Sequence, residues 1–189
     1  MNYSFEHICK ESAKLKSLYR ETDPFKICDD MGIKVLFAPM GTSADSCKGF
    51  FLNQNRIKSI TINSDLSPEF QRIICAHELG HCVLHKNKTG IKAFHDFGLF
   101  DSISEYEYEA NIFAAEFLLE DSDVIERLND DLSFFQAAAE LCVPAEILDF
   151  KFRTMKWKGY KITDAPMYSS RTWLKSAKDG GNTDNLFNM

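Results

Sequence analysis

His77-Glu78-Leu79-Gly80-His81 sets two histidines four residues apart, with a glutamate directly after the first. On a helix, residues at that spacing project from one face about 6 Å apart, so two imidazoles can converge on one tetrahedral metal ion. Glu78 is turned about 100° from His77 and cannot complete that pair. It can instead face a water at the metal's open position and act as general base. By composition alone, three such fixed residues would match in so short a chain about once in a hundred. Gly80 leaves the helix flank bare, so that another backbone can approach closely. The cofactor expected of this pattern is Zn2+, held by a third protein ligand with the fourth position left open.

That third ligand lies outside the motif. His85 is about 12 Å along the axis from His77, too far for three imidazoles of one straight helix to share a metal, and reads as a helix-end histidine favoured by the dipole. The extended H-E-x-x-H-x-x-G-x-x-H form fails, because Leu84 and Asn87 stand at its Gly and His positions. A later helix offers Glu105, Glu107, Glu109 and Glu116. Glu105 and Glu107 suit the first helical turn, where carboxylates complement the macrodipole and Glu107 closes an S-x-x-E capping box with Ser104. Glu109 shares a face with Ile112, Phe113 and Glu116, and a carboxylate buried there is costly unless paired or metal-bound. Glu109 is the leading candidate; Glu116, Glu105 and His95 are the alternatives. His95, Tyr106 or Tyr108 could donate to the oxyanion of a tetrahedral intermediate. Cys82 reads as a packed helical thiol.

These residues need elements to hold them. Apolar periodicity predicts a first helix over 4–19, and Asp23-Pro24 opens a short second one that ends near Gly32. Strands are expected at 33–38, 48–52 and 57–63, the last two flanking the polar turn Asn53-Gln54-Asn55-Arg56, as a small antiparallel sheet. Ser67-Pro68 starts the third helix, which carries the histidines inward to about His85. The fourth runs from the Ser104/Glu107 box to about Leu119. Shorter helices follow over 122–128, from the Ser133/Gln136 box to Leu141, and from Pro144 to about Trp157. The fold class is α+β, with additional C-terminal helices.

A length of 189 residues, 44% apolar and 26% charged, suits one folded domain and excludes a disordered chain. The first residues lack the pattern of a secretory signal and no long apolar run occurs, so a cytoplasmic location and no membrane partner are expected. Six cysteines without a C-x-x-C pair read as free thiols. Residues 151–189 carry eight Lys or Arg against three Asp or Glu, and residues 1–150 carry 14 against 25, giving +5 and −11. The acidic body favours a basic partner.

Cys75-Ala76-His77-Glu78-Leu79-Gly80-His81, preceded by Ile62-Asn63 and followed by Glu109-Ala110-Asn111-Ile112-Phe113-Ala114-Ala115-Glu116-Phe117-Leu118-Leu119, resembles the ImmA/IrrE family of metallopeptidases over about residues 20–155. The resemblance implies a gluzincin-like, zincin-type peptidase core, with His77, His81 and Glu109 as zinc ligands and Glu78 as the catalytic glutamate. It also implies an endopeptidase that cleaves a helix-turn-helix repressor and so derepresses phage, mobile-element or stress genes. The expected organisation is one metallopeptidase domain over 1–157 and a basic, poorly ordered tail over 158–189. The active cleft is expected between the third helix and an edge strand near Ile57 to Asn63. The competing reading is a non-catalytic, zinc-stabilised regulatory module that binds a repressor or DNA through the C-terminal helices. Its motivation is the stretch Leu141 to Leu148 between two short helices, which has the look of a helix-turn-helix. Two helices packed as a hairpin is the preferred reading of that stretch, because the preceding helix is acidic, and direct nucleic-acid binding is not expected.

Overall fold

The computed structural model describes residues 4–43, 45–54, 57–85, 105–129 and 132–163. Their order is α1 (Phe5–Tyr19), α2 (Pro24–Asp30), β1 (Lys34–Ala38), β2 (Gly49–Gln54), β3 (Ile57–Asn63), α3 (Pro68–Leu84), α4 (Glu105–Leu118), α5 (Asp121–Asn129), α6 (Phe134–Glu140) and α7 (Ala145–Trp157). The helix starts follow local chemistry. Ser4, Asp23 and Ser67 accept from backbone N–H groups of the first turns of α1, α2 and α3, and Pro24 and Pro68 stand where no N–H is needed. At α6 the Ser133 hydroxyl accepts from the Gln136 N–H, and the Gln136 side chain accepts from the Ser133 N–H.

The fold class is α+β, but the sheet is mixed rather than wholly antiparallel. Its order is β1-β3-β2, with β2 antiparallel to β3 and β1 parallel to it. The antiparallel β2–β3 pairing, with Gln54 opposite Ile57, is the one the polar segment predicts. The connection from β1 to β2 is held across the end of β3 by the buried Asn63 side chain. Its amide donates to the carbonyls of Gly41 and Cys47 at 2.7 and 3.0 Å, and its oxygen accepts from the N–H of Met40 at 3.1 Å. This brace lets the chain step over the central strand instead of turning back beside β1. The pairing also corrects the expected cleft: β3 is paired on both sides, so among the described residues the edge strands are β1 and β2.

One face of the sheet buries Phe51, Ile60 and Ile62. Helix α3 lies between the sheet and α4, and every residue from Ile73 to Leu84 is buried. Helix α4 is central in turn, packed against α3 on one side and against α1 and α7 on others. Lys16 of α1 crosses to its C-terminal end, where Nζ donates to the carbonyls of Glu116 and Phe117 at 3.4 and 3.3 Å. Helices α5 and α6 pair, and α6 packs on α7.

Helices α6 and α7 pack against each other across the short connection from Leu141 to Pro144. In α7, Ile147, Leu148, Phe150, Lys151, Phe152 and Met155 are buried. None of the six cysteines is in a disulfide. Among the described residues no helix is long and apolar enough to cross a membrane. Lys158 folds back to pair with Asp121 at 2.9 Å; the tail beyond residue 163 lies outside the described residues.

Candidate metal centre

Because α3 is walled in by the sheet and α4, both motif histidines are driven into the interior. His77 is 1% exposed and His81 0%. Their Nε2 atoms lie 3.1 Å apart. Glu107 of α4 presents Oε2 to both, 3.2 Å from His77 Nε2 and 3.4 Å from His81 Nε2. Among the described residues, His77, His81 and Glu107 form a group that could hold a metal ion. A tetrahedral ion with bonds of about 2.0–2.1 Å keeps its ligand atoms about 3.3–3.4 Å apart, close to the three separations seen. The donor set, two imidazoles and one carboxylate, is that of catalytic zinc sites.

Protonation favours the same use. Burial pushes His81 down to about 4, against the raising effect of Glu107, so its ring is neutral at neutral pH. Burial opposes ionisation of Glu107, but in the absence of a metal the imidazoles of His77 and His81 prevail as N–H donors and hold it well below the usual carboxylate range; a bound ion would take the place of those protons. His77 is held from behind: Nδ1 lies 2.9 Å from Oδ1 of the buried Asn111, one helical turn beyond Glu107. An amide oxygen only accepts, so Nδ1 carries the proton and the Nε2 lone pair faces the group.

Glu109, expected as third ligand, lies elsewhere. It is 1% exposed, and its Oε2 sits 2.9 Å from Nε2 of His85, outside the three-residue group. His85 does stand at the helix end, as expected. It is the buried C-cap of α3, with Nδ1 2.9 Å from Nδ1 of His81. Glu116 belongs to an ion cluster with Lys151 at 2.8 Å and the Thr154 hydroxyl at 2.9 Å. Glu105 is exposed in the first turn of α4. Tyr106 packs its ring against His85 at 5.0 Å between centroids, while Tyr108 packs against Phe150 at 5.8 Å. Ser104 and His95 lie outside the described residues. Cys82 is buried within α3, as its helical setting predicted.

Helical periodicity gives Glu107 only a capping role, because it leaves one face of α4 to solvent. Residues 109–115 and Phe117 are all buried, so the helix is enclosed on every side and an apolar stripe does not single out the face towards α3. A usable signal was Asn111, a polar residue inside an apolar run and four residues after Glu107, where the two share a face.

Two glycines set the spacing around the centre. A Cβ on Gly80 would come within 3.0–3.2 Å of the Phe113 side chain, so the bare flank admits a ring of α4 rather than a backbone. A Cβ on Gly49 would fall 2.4 Å from Ile74 Cγ2 and 3.8 Å from Oε1 of Glu78. The edge strand β2 therefore lies tight on α3 beside the fully buried Glu78.

Comparison with known proteins places the chain among peptidases. A family model described as the IrrE N-terminal-like domain of peptidase M78 matches residues 28–156. An "uncharacterized immunity region protein 2" of Bacillus phage phi105 is 33% identical over 138 residues, covering 73% of this chain and 84% of the relative. "Metallopeptidase ImmA" of Bacillus subtilis (strain 168) is 27% identical over 133 residues, covering 67% and 73%. With the family model spanning both the H-E-x-x-H helix and α4, the chain belongs to the peptidase M78 family of metallopeptidases.

Proposed function

We propose that this chain is a cytoplasmic zinc-dependent endopeptidase that cuts a helix-turn-helix repressor and thereby derepresses phage, mobile-element or stress genes. In this reading His77, His81 and Glu107 hold the metal and Glu78 is the general base. The observation that carries it is the near-equilateral set of two imidazole nitrogens and one carboxylate oxygen, 3.1, 3.2 and 3.4 Å apart. Bound zinc supplies Lewis acidity that polarises a scissile carbonyl and brings the pKa of water towards 7. Glu78 follows His77 on the same buried helix, takes the proton of the attacking water and returns it to the leaving amine. Asn111 keeps the His77 lone pair aimed at the ligand group. The free edge of β2 can hold an extended peptide by main-chain hydrogen bonds beside Glu78.

The substrate class is supported by the phage relative's name, which refers to an immunity region, and by the −11 charge of residues 1–150, which suits a basic DNA-binding partner. Because a strand edge accepts only extended chain, the cut falls in a linker or locally unfolded segment of that partner. Co-expression with the repressor encoded beside this gene tests the reading. Wild type should give one discrete fragment pair, and Glu78→Gln, which keeps size but removes the base, should give none. Cleavage by Glu78→Gln, or sequestration of intact repressor by wild type, would favour the regulatory-module reading instead.

A further inference from the structure

His85 and Glu109 fall outside the ligand group, yet both are buried and joined to it by successive hydrogen bonds. Glu109 Oε2 lies 2.9 Å from His85 Nε2, His85 Nδ1 lies 2.9 Å from His81 Nδ1, and His81 Nε2 is one corner of the ligand triangle. We propose that Glu109 and His85 are positioning residues: a carboxylate–imidazole relay that fixes the proton of His81 on Nδ1 and so keeps its Nε2 lone pair towards the metal. This inference rests on the metal-binding reading above.

The direction of the relay follows from which atoms can donate. For His81 to ligate through Nε2, its proton must sit on Nδ1, which then donates to His85 Nδ1. His85 accepts there, so its own proton sits on Nε2, and the atom it meets is a carboxylate oxygen, which only accepts. Every donor in the line has an acceptor. The reverse polarity would leave His85 Nε2 without a proton against Glu109 Oε2 at 2.9 Å, two lone pairs facing each other. Two different devices thus orient the two histidines: a side-chain amide behind His77 and a second imidazole backed by a carboxylate behind His81. Partners of this kind typically change metal affinity by about 10–100-fold when removed. Glu109 in this role also accounts for a buried carboxylate outside the ligand group.

Nitrogen NMR on histidine-labelled protein tests the direction of the relay, and competition with a chromophoric chelator measures zinc affinity. In wild type, with and without added zinc, a coupling across the hydrogen bond should join His81 Nδ1 to His85 Nδ1, with the proton on His81. His85→Phe keeps a ring and loses both nitrogens, and it should lower zinc affinity by about 10–100-fold. Glu109→Gln keeps an acceptor for His85, and it should retain the coupling and lose less than about tenfold. A proton on His85 Nδ1, or no coupling, overturns the relay. So does a Glu109→Gln variant that loses more zinc affinity than His85→Phe, because Glu109 would then be a direct ligand. A wild type that shows the coupling but takes up no zinc would leave the relay standing and remove the zinc-peptidase reading. The wild-type coupling is readable whether or not a variant folds.

Discussion

The two ends of α4 use the same residue type in opposite ways. Near its start Glu107 meets Nε2 atoms of His77 and His81, and Glu109 meets His85. Near its end Glu116 meets the ammonium groups of Lys151 and Lys158, which also reach Asp121 at 2.6 and 2.9 Å. At the second site two cations stand with two carboxylates, and the charge is balanced where it is buried. At the first site the histidines offer lone pairs and converging geometry. A glutamate's chemistry is thus set by the partner helix: α7 turns one into a structural anchor, α3 turns another into a candidate ligand.

The widest separation between the two ends should come from metal binding. Glu107→Gln should weaken zinc binding by more than about a hundredfold, judged against the 10–100-fold worth of a merely supporting partner, whereas Glu116→Gln should leave zinc affinity unchanged in the same chelator competition. Lys151→Met should do the reverse. It leaves Glu116 and Asp121 short of one buried cation and should cost about 3 kcal/mol in a denaturant titration, with zinc content intact. Gly49→Ala touches neither end of α4. Its Cβ would meet Ile74 Cγ2 and, at 3.0 Å, the Thr61 carbonyl, so thermal unfolding should show a loss of about 2 kcal/mol from overpacking.

Most of the elements were legible because their signals are local. Helix caps at Ser4, Asp23, Ser67 and Ser133, the polar segment between β2 and β3, and the apolar stripe through His77 and His81 all act within a few residues. What the sequence did not disclose depends on enclosure by distant segments. The parallel β1–β3 pairing depends on Asn63 pinning the connection between β1 and β2. The position of Glu107 against the histidines depends on α4 being covered all round, by α3 on one side and by α1 and α7 elsewhere. The partnership of His85 with Glu109 likewise crosses between helices far apart in sequence.

Acid should distinguish the ends more gently. Burial raises the Asp121 carboxyl, but hydrogen bonds from Lys151 and Lys158 outweigh this and hold it below its ordinary 3.8. A depressed carboxylate stabilises the fold above its unfolded pKa, and that contribution disappears as pH falls below about 4. Burial lowers Lys158, but Glu116 and Asp121 outweigh that and hold it above its ordinary 10.5, so its contribution is complete below that value and disappears as pH rises beyond it. Urea midpoints taken across pH should therefore fall on both flanks in wild type and fall less in Lys158→Met. The smallest effect is expected at Glu105, exposed in the first turn of α4, where Glu105→Gln should cost only a few tenths of a kcal/mol of helix-start stability.

Zinc stoichiometry tests the central claim most directly. Protein purified without added zinc, and then dialysed against it, should carry one zinc per chain in wild type and in Glu109→Gln, and essentially none in His77→Ala/His81→Ala and Glu107→Gln. Equal zinc in wild type and the double histidine variant, or zinc retained by Glu107→Gln and lost by Glu109→Gln, would contradict the assignment of His77, His81 and Glu107 as the ligands.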